Sequence, residues 1–569
     1  MKRLIILALT LTVGLSACDV LDLEPKDRVT QFDYFKTAND LELFTNPFYN
    51  NLLDKEPFDE QSDLLVQNTL SAILFGGSHR TVPESGGGWS WTDLRRMNTL
   101  LEYADMCEDK EAVTKYTAVT RFFRAFFYFE KVKRFGDVPW YDIQLGSADE
   151  LLYKPRDSRE LILTKMLEDI EYAINSGGLT ESAADPYHVN KWAALALKAQ
   201  FCLYEGTWRK YHGLDGSEEW LRACVAASEE LMGDSPYSLV STAGEETTNY
   251  SKVFKSEEPQ YTEVILANEF NATLNRFHDA SWYYASGSYG QRNSGPKAFV
   301  NMYLNLDGTR FTDKDGYNKT QFKDEFAGRD YRLRQTFITP YYVKKVGGKE
   351  TNEFAKVFPG LTTQLTYYRI IKWNTDDDAN ESNTSSANSL PVFRYAEILL
   401  NEAEAKAELG EMDQTVWNKT IRPLRERSGV SGAMPATADP YLASYYDGVT
   451  DKWILECRRE RSIELYMENT RRDDLMRWRM GHKLTVEFAG IHIPELGKPF
   501  DMNGDGKNDL CFYSKSHPKS GSNQTGVSYV EVTAEEGDNV TTYSVNKDNC
   551  LVYILDREWA DYKYLYPVP

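Results

Sequence analysis

Cysteine and histidine are scarce in this sequence, since each occurs seven times among 569 residues. No CxxC motif is present and no metal-ligand spacing stands out, which argues against a zinc or dithiol redox centre. The sequence also lacks HExxH, GxSxG and P-loop motifs, the signatures of metalloproteases, serine hydrolases and nucleotide hydrolases. Cys202 and Cys457 lie on apolar helical faces and are expected to be buried free thiols. If the protein is exported from the cytoplasm, one or two disulfides are also possible.

Positive charge is in short supply as well. The chain has 65 Lys and Arg against 86 Asp and Glu, which gives a formal net charge of −21. This balance argues against nucleic acid, whose phosphates would be repelled, and against broad adhesion to an anionic lipid surface. Aromatic residues are plentiful at 13%, with 36 Tyr and 12 Trp. That content suits either a large helical core or a surface that binds rings.

Long apolar runs are missing except at the start of the chain. Met1 to Arg3 are a cationic beginning, and Leu4 to Gly14 form an apolar stretch of roughly the 7–15 residues expected of a secretory signal. A bilayer span needs about 20 such residues. Leu15-Ser16-Ala17-Cys18 is a lipobox, so we expect residues 1–17 to be a signal peptide and Cys18 to carry lipid, with palmitate among its acyl chains. The alternative is an ordinary signal peptide followed by a cysteine by coincidence.

Helical periodicity dominates two parts of the chain. In residues 119–140, Val119, Phe122, Phe126 and Phe129 recur at steps of three and four, and Gly136 is placed to end the helix. Helix pairs with alanine on their packing stripes are predicted near residues 112–233 and 391–481, and they suggest four tetratricopeptide-like units. The predicted fold is therefore mainly α, a single domain over residues 18–569. Loop-rich parts with a few short strands are expected near residues 60–98, 234–390 and 482–569.

Alternating charges follow each other between Arg458 and Arg479. Glu468 and Arg472 are four residues apart, as are Asp473 and Arg477, which predicts ion pairs along the helix surface. We interpret this cluster as structural.

Two stretches combine aromatic and polar residues in a way that suits a sugar. The apolar face of a pyranose lies flat on an aromatic ring, while its hydroxyl groups bind polar side chains at the ring edge. The candidate ligand-binding residues of the first stretch are Trp282, Tyr283, Tyr284, Tyr289, Arg292 and Asn293. Because Trp282 and Tyr284 alternate, one of them is expected in the core. In the second stretch, Trp89 follows three glycines and is a candidate, whereas the spacing of Trp91 favours the core.

The segment DMNGDGKND resembles a calcium-binding loop. Asp501, Asn503, Asp505, Lys507 and Asp509 occupy positions 1, 3, 5, 7 and 9 of an EF-hand pattern. Position 12 is Phe512 instead of the usual glutamate, and flanking helices are not evident. The sequence therefore leaves open either a weak calcium site or a turn rich in Asp and Asn that binds no ion. No other cofactor is expected.

Several blocks together resemble the SusD/RagB family of nutrient-binding outer-membrane lipoproteins. These blocks, spread from residue 18 to 569, are CDVLDLEP, RFFRAFFYFEKVKRFGDVPW, YKPRDSRE, FRYAEILLNEAEAKAELG, RERSIELYMENTRRDDLMRW and KYLYPVP. The resemblance implies a lipid-anchored, non-enzymatic protein of the cell surface that contacts the membrane only through its anchor. It further implies capture of a glycan by the loop-rich side and its delivery to a SusC-like TonB-dependent transporter packed on the helices.

Two alternatives remain open at this point. Peptide capture, as in the RagB branch, would use a deeper and less aromatic groove. A glycoside hydrolase would need two carboxylates at a defined separation beside the aromatic loop.

Overall fold

The computed structural model describes residues 34–53, 59, 61–75, 86–146 and 148–568. The expected signal peptide and Cys18 lie outside these residues. The described chain is mainly α-helical, which confirms the predicted fold class. Its α-helices are α1 (Ala38–Leu52), α2 (Thr92–Tyr103), α3 (Lys110–Phe135), α4 (Arg159–Asn175), α5 (Lys191–His212), α6 (Ser217–Asp234), α7 (Asn249–Lys255), α8 (Ala280–Ala285), α9 (Lys297–Val300), α10 (Tyr331–Thr336), α11 (Phe354–Val357), α12 (Tyr395–Glu408), α13 (Gln414–Lys419), α14 (Ile421–Arg427), α15 (Pro440–Tyr445), α16 (Lys452–Glu464) and α17 (Arg471–Arg477).

The long helices begin and end where local chemistry dictates. The side chain of Asp109 caps α3 by accepting hydrogen bonds from the backbone amides of Glu111 and Ala112. Gly136 ends that helix with φ at 73°, a conformation that glycine adopts at little cost. Asn190 caps α5 in the same way, as the sequence predicts, by accepting from the amide of Ala193 at 2.8 Å. These local signals explain why the helices could be placed from the sequence.

The helices pack against one another in one scaffold. α3 packs on α4, and α5 packs on α6. α12 packs on both α6 and α16, although a long insertion separates it from α6 in the sequence. The aromatic face of α3 is largely enclosed, with Phe122 and Phe123 wholly buried in the main hydrophobic core and Phe126 partly buried against it. Burying such large rings is a dominant source of stability in a core of this kind.

Strands are short and form small sheets at the edges of the scaffold. The strands are β1 (Val66–Gln67), β2 (Val264–Asn268), β3 (Asn293–Gly295), β4 (Lys344–Val346), β5 (Lys349–Thr351), β6 (Tyr368–Arg369), β7 (Leu390–Arg394), β8 (Phe488–His492), β9 (Leu510–Tyr513), β10 (Ser528–Glu531), β11 (Tyr543–Val545) and β12 (Cys550–Tyr553). β3, at the centre of one sheet, pairs antiparallel with both β1 and β6; β2 pairs with β7, and β12 pairs with both β8 and β11. β4 and β5 form an antiparallel pair, while β9 and β10 run parallel.

A buried ion network ties the loop-rich insertion to the scaffold. Glu464 of α16 accepts hydrogen bonds from Arg394 at 2.7 Å, from Arg332 of the insertion at 3.1 Å and from Arg427 of α14. Arg394 and Arg427 also bind Glu263, which immediately precedes β2. Each of these side chains is at most 2% exposed. The network therefore joins elements that are far apart in sequence.

The ion pairs that the spacing predicted along this segment are wrong, because the residues bind other elements. Glu468 binds Lys372 and Arg394. Asp473 binds Lys133 of α3 at 2.6 Å. Arg477 binds Glu404 and Asp474. Buried charged residues of a helix pair with the charged groups that pack around them. Four-residue spacing along the helix therefore does not identify their ion-pair partners.

The six cysteines after residue 18 are all buried and free, so the described chain contains no disulfide. This confirms the expectation for Cys202 and Cys457. Among the described residues, no helix has both the length and the apolar character needed to cross a bilayer.

Candidate functional site

Four of the residues proposed from the sequence come together on one partly exposed surface, which we call the aromatic patch: Trp282, Tyr283, Tyr289 and Arg292. The ring centroid of Tyr289 lies 4.4 Å from that of Trp282 and 5.2 Å from that of Tyr283, with interplanar angles of 33° and 35°. The guanidinium carbon of Arg292 lies 4.1 Å from the Tyr289 ring centroid. Centroids this close at such angles mean that the rings lie against one another, so Trp282, Tyr289 and Tyr283 form a compact, partly exposed cluster with Arg292 on Tyr289.

The turn that carries the patch is set by its own hydrogen bonds. Trp282 and Tyr283 are in the short helix α8, and the hydroxyl of Ser286 donates to the Trp282 carbonyl at 2.6 Å. The same hydroxyl accepts from the Tyr289 amide at 3.0 Å, which brings Tyr289 back over α8. A side chain at Gly290 would place its Cβ 2.5 Å from the Tyr284 carbonyl oxygen, so this turn requires glycine.

A buried arginine supports the turn from below. Arg369 of β6 is wholly buried and donates hydrogen bonds to the carbonyl oxygens of Ala285 and Ser286, and to that of Pro359 at 3.0 Å. Burial lowers the pKa of Arg369 to about 10, so the side chain remains charged at neutral pH. Hydrogen bonds from a charged donor are stronger than neutral ones, and they hold the backbone of the patch in place.

Two of the predicted contact residues instead lie beneath the patch. Tyr284 is 0% exposed, and its hydroxyl accepts from the backbone amide of Asp59 at 3.3 Å. Asn293 is 1% exposed; its amide group donates to the Tyr283 carbonyl at 3.1 Å and accepts from Gln67 at 3.2 Å. The prediction that Tyr284 and Asn293 contact the ligand is therefore corrected, because both side chains are buried and support Tyr283 from below. The alternation of Trp282 and Tyr284 between surface and core agrees with the sequence-based expectation.

Polar groups at the end of β1 and just after it border the patch. The side-chain amide of Gln67 donates to the Tyr283 hydroxyl at 3.4 Å, and the backbone amide of Asn68 donates to the Arg292 carbonyl at 3.1 Å. The Asn68 side chain is exposed. Burial raises the pKa of Tyr283 above its ordinary value, so its hydroxyl stays protonated. The border thus supplies amide and hydroxyl groups of the kind that bind sugar hydroxyls.

Trp89 lies elsewhere, at the end of α3. Its ring is partly buried and contacts Phe135 edge-on at a centroid distance of 4.9 Å and Trp91 at 5.1 Å. In the described residues no ring contact joins Trp89 to the aromatic patch. Its role in ligand binding therefore stays a prediction, at a location separate from the patch. Trp91 packs against Phe127 below, in agreement with a core position.

The loop from Asp501 to Asp509 uses its carboxylates to bind its own backbone. Asp501 accepts from the amides of Gly504 at 2.6 Å and Gly506 at 2.9 Å, and Asp509 accepts from the Met502 amide at 2.8 Å. Asn503 and Asp505 accept from amides two residues later, the second of which is that of Lys507. Within the described ranges, no group of three or more His, Cys, Asp or Glu side chains is arranged to hold a metal ion. Calcium binding at this loop stays a prediction.

Sequence reasoning missed Gln67 and Arg369, which position the patch. They are separated from it by about 200 and about 80 residues along the chain, and nothing in their local sequence indicates the contact. Long-range contacts of this kind leave no periodic signal.

Comparison with known proteins gives consistent similarities. Residues 262–569 match the model of the SusD family, and residues 34–188 match a model described as starch-binding and associating with the outer membrane. SusD-like protein P25 of Formosa agariphila is 24% identical over 416 residues, which are 68% of this chain and 69% of that protein. SusD-like protein P2 of the same organism is 24% identical over 538 residues, covering 89% and 95% of the two chains.

Solved structures give the same similarity for the fold. A SusD-like carbohydrate binding protein from Bacteroides fragilis superposes with a TM-score of 0.66 at 20% identity, covering 94% of this chain and 98% of that one. A second SusD-like protein from Bacteroides fragilis has a TM-score of 0.64 at 19% identity, with coverage of 94% and 95%.

Proposed function

Because the chain belongs to the SusD family, we propose that it is a carbohydrate-binding protein of the outer membrane that holds a glycan on its aromatic patch without altering it. The names of its relatives support both parts of this proposal: one solved relative is described as carbohydrate-binding, and one matching model as associating with the outer membrane. The glycan would then pass to a SusC-like TonB-dependent transporter, as the family resemblance implies.

The observation that carries the proposal is the geometry of the patch. Trp282 and Tyr283 lie against Tyr289 with centroids 4.4 and 5.2 Å away and interplanar angles of 33° and 35°, so the three rings form one compact cluster that is partly exposed. The exposed part of this cluster offers an apolar surface to a pyranose ring. Arg292 and the groups of β1 lie at the edge, where the sugar hydroxyls would point. The apolar contact supplies affinity, and the polar border supplies orientation.

Asp59, whose backbone amide contacts Tyr284, is not placed to act as a glycosidase carboxylate at the patch. Asp59 is 6% exposed and lies behind Tyr284, away from the surface of the patch. Burial raises the pKa of Asp59 to about 7. A glycosidase needs two carboxyl groups that flank the bound sugar on the open side, and Asp59 is on the wrong side of the rings for that role.

We further propose that the chain is anchored through lipid on Cys18, which lies outside the described residues. The order of signal, lipobox and cysteine supports this. A Cys18→Ala variant should not take up a labelled fatty acid in cells, whereas the unchanged protein should. Labelling of the variant would contradict the lipobox assignment.

The patch is tested by measuring glycan affinity with single aromatic residues removed. The full chain, purified in detergent, is titrated calorimetrically with a panel of oligosaccharides and peptides. Trp282→Ala should weaken oligosaccharide binding about 5- to 30-fold, which corresponds to ~1–2 kcal/mol, the range expected when one well-packed contact residue is truncated. The matched control is Tyr153→Ala, because Tyr153 is 85% exposed and far from the patch in sequence.

Each outcome of this titration separates the alternatives. Equal losses in both variants, or none in either, would remove the patch from the site. Binding of peptides alone would favour peptide capture. Release of shorter sugars during the titration would favour a glycoside hydrolase.

A further inference from the structure

A cavity lies where the helical scaffold meets the loop-rich insertion. It is bounded by helices α3, α5 and α12, by strands β2 and β7, and by the turn between α16 and α17. Among the described residues that line it, none belongs to the aromatic patch, so the two are separate places on the molecule. We define this junction cavity by six residues on its wall: Phe126, Gln200, Asn268, Val392, Glu397 and Asn401.

The junction cavity is small and reaches the surface. Its volume is about 130 Å³, well above the roughly 10–15 Å³ that one water molecule needs and below the roughly 300–1,000 Å³ of pockets for drug-sized ligands. Glu130 and Asn469 on its wall are exposed, and Phe126 and Val392 are partly exposed. A small ligand, or one end of a longer ligand, can therefore enter it from solvent.

Glu397 is the one charged residue on the described part of the wall that has no ionic partner. It is 5% exposed, and among the described residues its carboxylate accepts one hydrogen bond, from the side-chain amide of Gln200 at 3.0 Å. The cavity thus contains one carboxylate whose charge no described side chain balances. The other charged residues of the wall are paired: Lys133 binds Glu130 and Asp473, Arg461 and Arg477 bind Asp474, and Glu468 binds Lys372 and Arg394.

Two buried amide groups on the same wall also have unused hydrogen-bonding atoms. Asn401 is 1% exposed; its side-chain oxygen accepts from Arg461 at 2.8 Å, but its side-chain nitrogen has no partner among the described residues. Asn268, at the end of β2, is 8% exposed, and its side chain forms no hydrogen bond within the part of the chain that the structure describes. Buried polar groups normally have a partner, so unused atoms around one space point to a polar molecule within it.

The chemistry of these groups favours a monovalent organic cation. Water could supply hydrogen bonds to the amides, but it could not balance the charge of Glu397, and an isolated buried charge is unfavourable. Burial raises the pKa of Glu397, and the charge of Arg461 opposes this effect only in part. Within the described ranges, no group of three or more His, Cys, Asp or Glu side chains is arranged to hold a metal ion. A protonated primary amine has three N–H donors, which suit the carboxylate of Glu397 and the side-chain oxygens of Asn268 and Gln200.

We propose that the junction cavity binds a protonated primary amine, with its ammonium group beside Glu397 and its carbon atoms against Phe126 and Val392. Such a group can belong to a free alkyl amine or to an amino sugar. The inference goes beyond the proposed glycan binding and does not depend on it.

The test compares amines with uncharged counterparts of similar shape. The full chain in detergent is titrated at pH 7 and constant ionic strength, and binding is followed by saturation-transfer NMR. The two matched pairs are 4-aminobutanol with 1,4-butanediol, and glucosamine with glucose. The amine of at least one pair should bind about tenfold more tightly than its counterpart, as expected for a hydrogen bond to a charged group. A preference in the first pair alone assigns the cavity to alkyl amines, and a preference in the second pair assigns it to amino sugars.

Two variants assign the preference to the cavity. Glu397→Gln is nearly isosteric and can still accept from Gln200, so the preference for amines should disappear while the affinity for the uncharged counterparts is unchanged. Because Glu397 has no ionic partner among the described residues, the Tm of this variant should equal or exceed that of the unchanged protein. Asn268→Leu removes one amide without changing the charge, and it should weaken amine binding about tenfold. Glu168→Gln is the matched control, because Glu168 is exposed on α4 and pairs with Lys165.

The outcomes separate this inference from the proposed function. Equal affinity for amines and their counterparts would overturn the inference, as would a preference that survives Glu397→Gln. A fall in Tm of several degrees in Glu397→Gln would assign the carboxylate a structural role and overturn it too. Displacement of 4-aminobutanol by an equal concentration of ammonium chloride would assign the cavity to an inorganic cation and overturn the organic ligand. Trp282→Ala should leave amine binding unchanged, so failure of glycan binding at the patch and failure of this inference are observed independently.

Discussion

Replacing Glu464 with glutamine should loosen the attachment of the patch-bearing insertion to the helical scaffold. Glu464 is wholly buried and accepts hydrogen bonds from Arg332, Arg394 and Arg427. Burial opposes its ionisation, but the three arginines outweigh burial and hold its pKa well below the usual range. The change Glu464→Gln is nearly isosteric, so it removes the charge without creating a cavity.

The expected loss of stability follows from the contacts that the three arginines keep after Glu464→Gln. Glutamine keeps one acceptor oxygen, but its amide nitrogen faces guanidinium groups and cannot accept from them. Of the three buried arginines, Arg394 keeps Glu263 and Glu468, and Arg427 keeps Glu263. Arg332 keeps Asp330 and Glu460. Breaking a buried ion pair by removing one partner costs about 3–5 kcal/mol. We expect a loss of that size in the free energy of unfolding, with a fall in Tm of about 3–4 °C for a chain this long.

The assay is urea denaturation followed by circular dichroism, with hydrogen exchange of the β2 and β7 amides as a local probe. Glu426→Gln is the matched control, since Glu426 lies in α14 beside Arg427 but forms an exposed pair with Arg422. An exposed pair is worth less than about 1 kcal/mol. Equal shifts of the urea midpoint in the two variants would refute the reasoning, as would faster exchange throughout the protein with no preference for β2 and β7.

Two further predictions concern titration and metal binding. Burial raises the pKa of Glu402 to about 7 from its ordinary value of 4.5, so charging it in the folded state is unfavourable and stability falls as pH rises between these values. The Tm of Glu402→Gln should therefore exceed that of the unchanged protein by a margin that grows from pH 5 to pH 8, and a constant margin would contradict the assignment. Asp501 and Asp509 already accept hydrogen bonds from backbone amides, so the loop from Asp501 to Asp509 should keep its shape without calcium. EDTA should therefore leave Tm unchanged. A rise in Tm of several degrees in millimolar CaCl₂ but not MgCl₂ would establish a calcium site instead.

Much of the scaffold could be predicted from the sequence because helices are specified locally. The three- and four-residue spacing of Phe122, Phe126 and Phe129, with Asn190 and Gly136 at helix ends, depends only on neighbouring residues. The aromatic loop was located too, since its rings match no helix or strand period and required another explanation.

The tertiary structure alone decided which side chains face solvent and which partners they bind. Tyr283 and Tyr284 are adjacent in α8, yet one joins the patch and the other lies in the core, because successive helical residues point about 100° apart and packing selects the buried direction. Asp473 pairs with Lys133, about 340 residues away, instead of with its helical neighbour. The sequence by itself determined the family, the helices and the region of the patch. The ion network and the support of the patch by Arg369 arise only when distant segments pack, because such contacts depend on loop paths that no local pattern encodes.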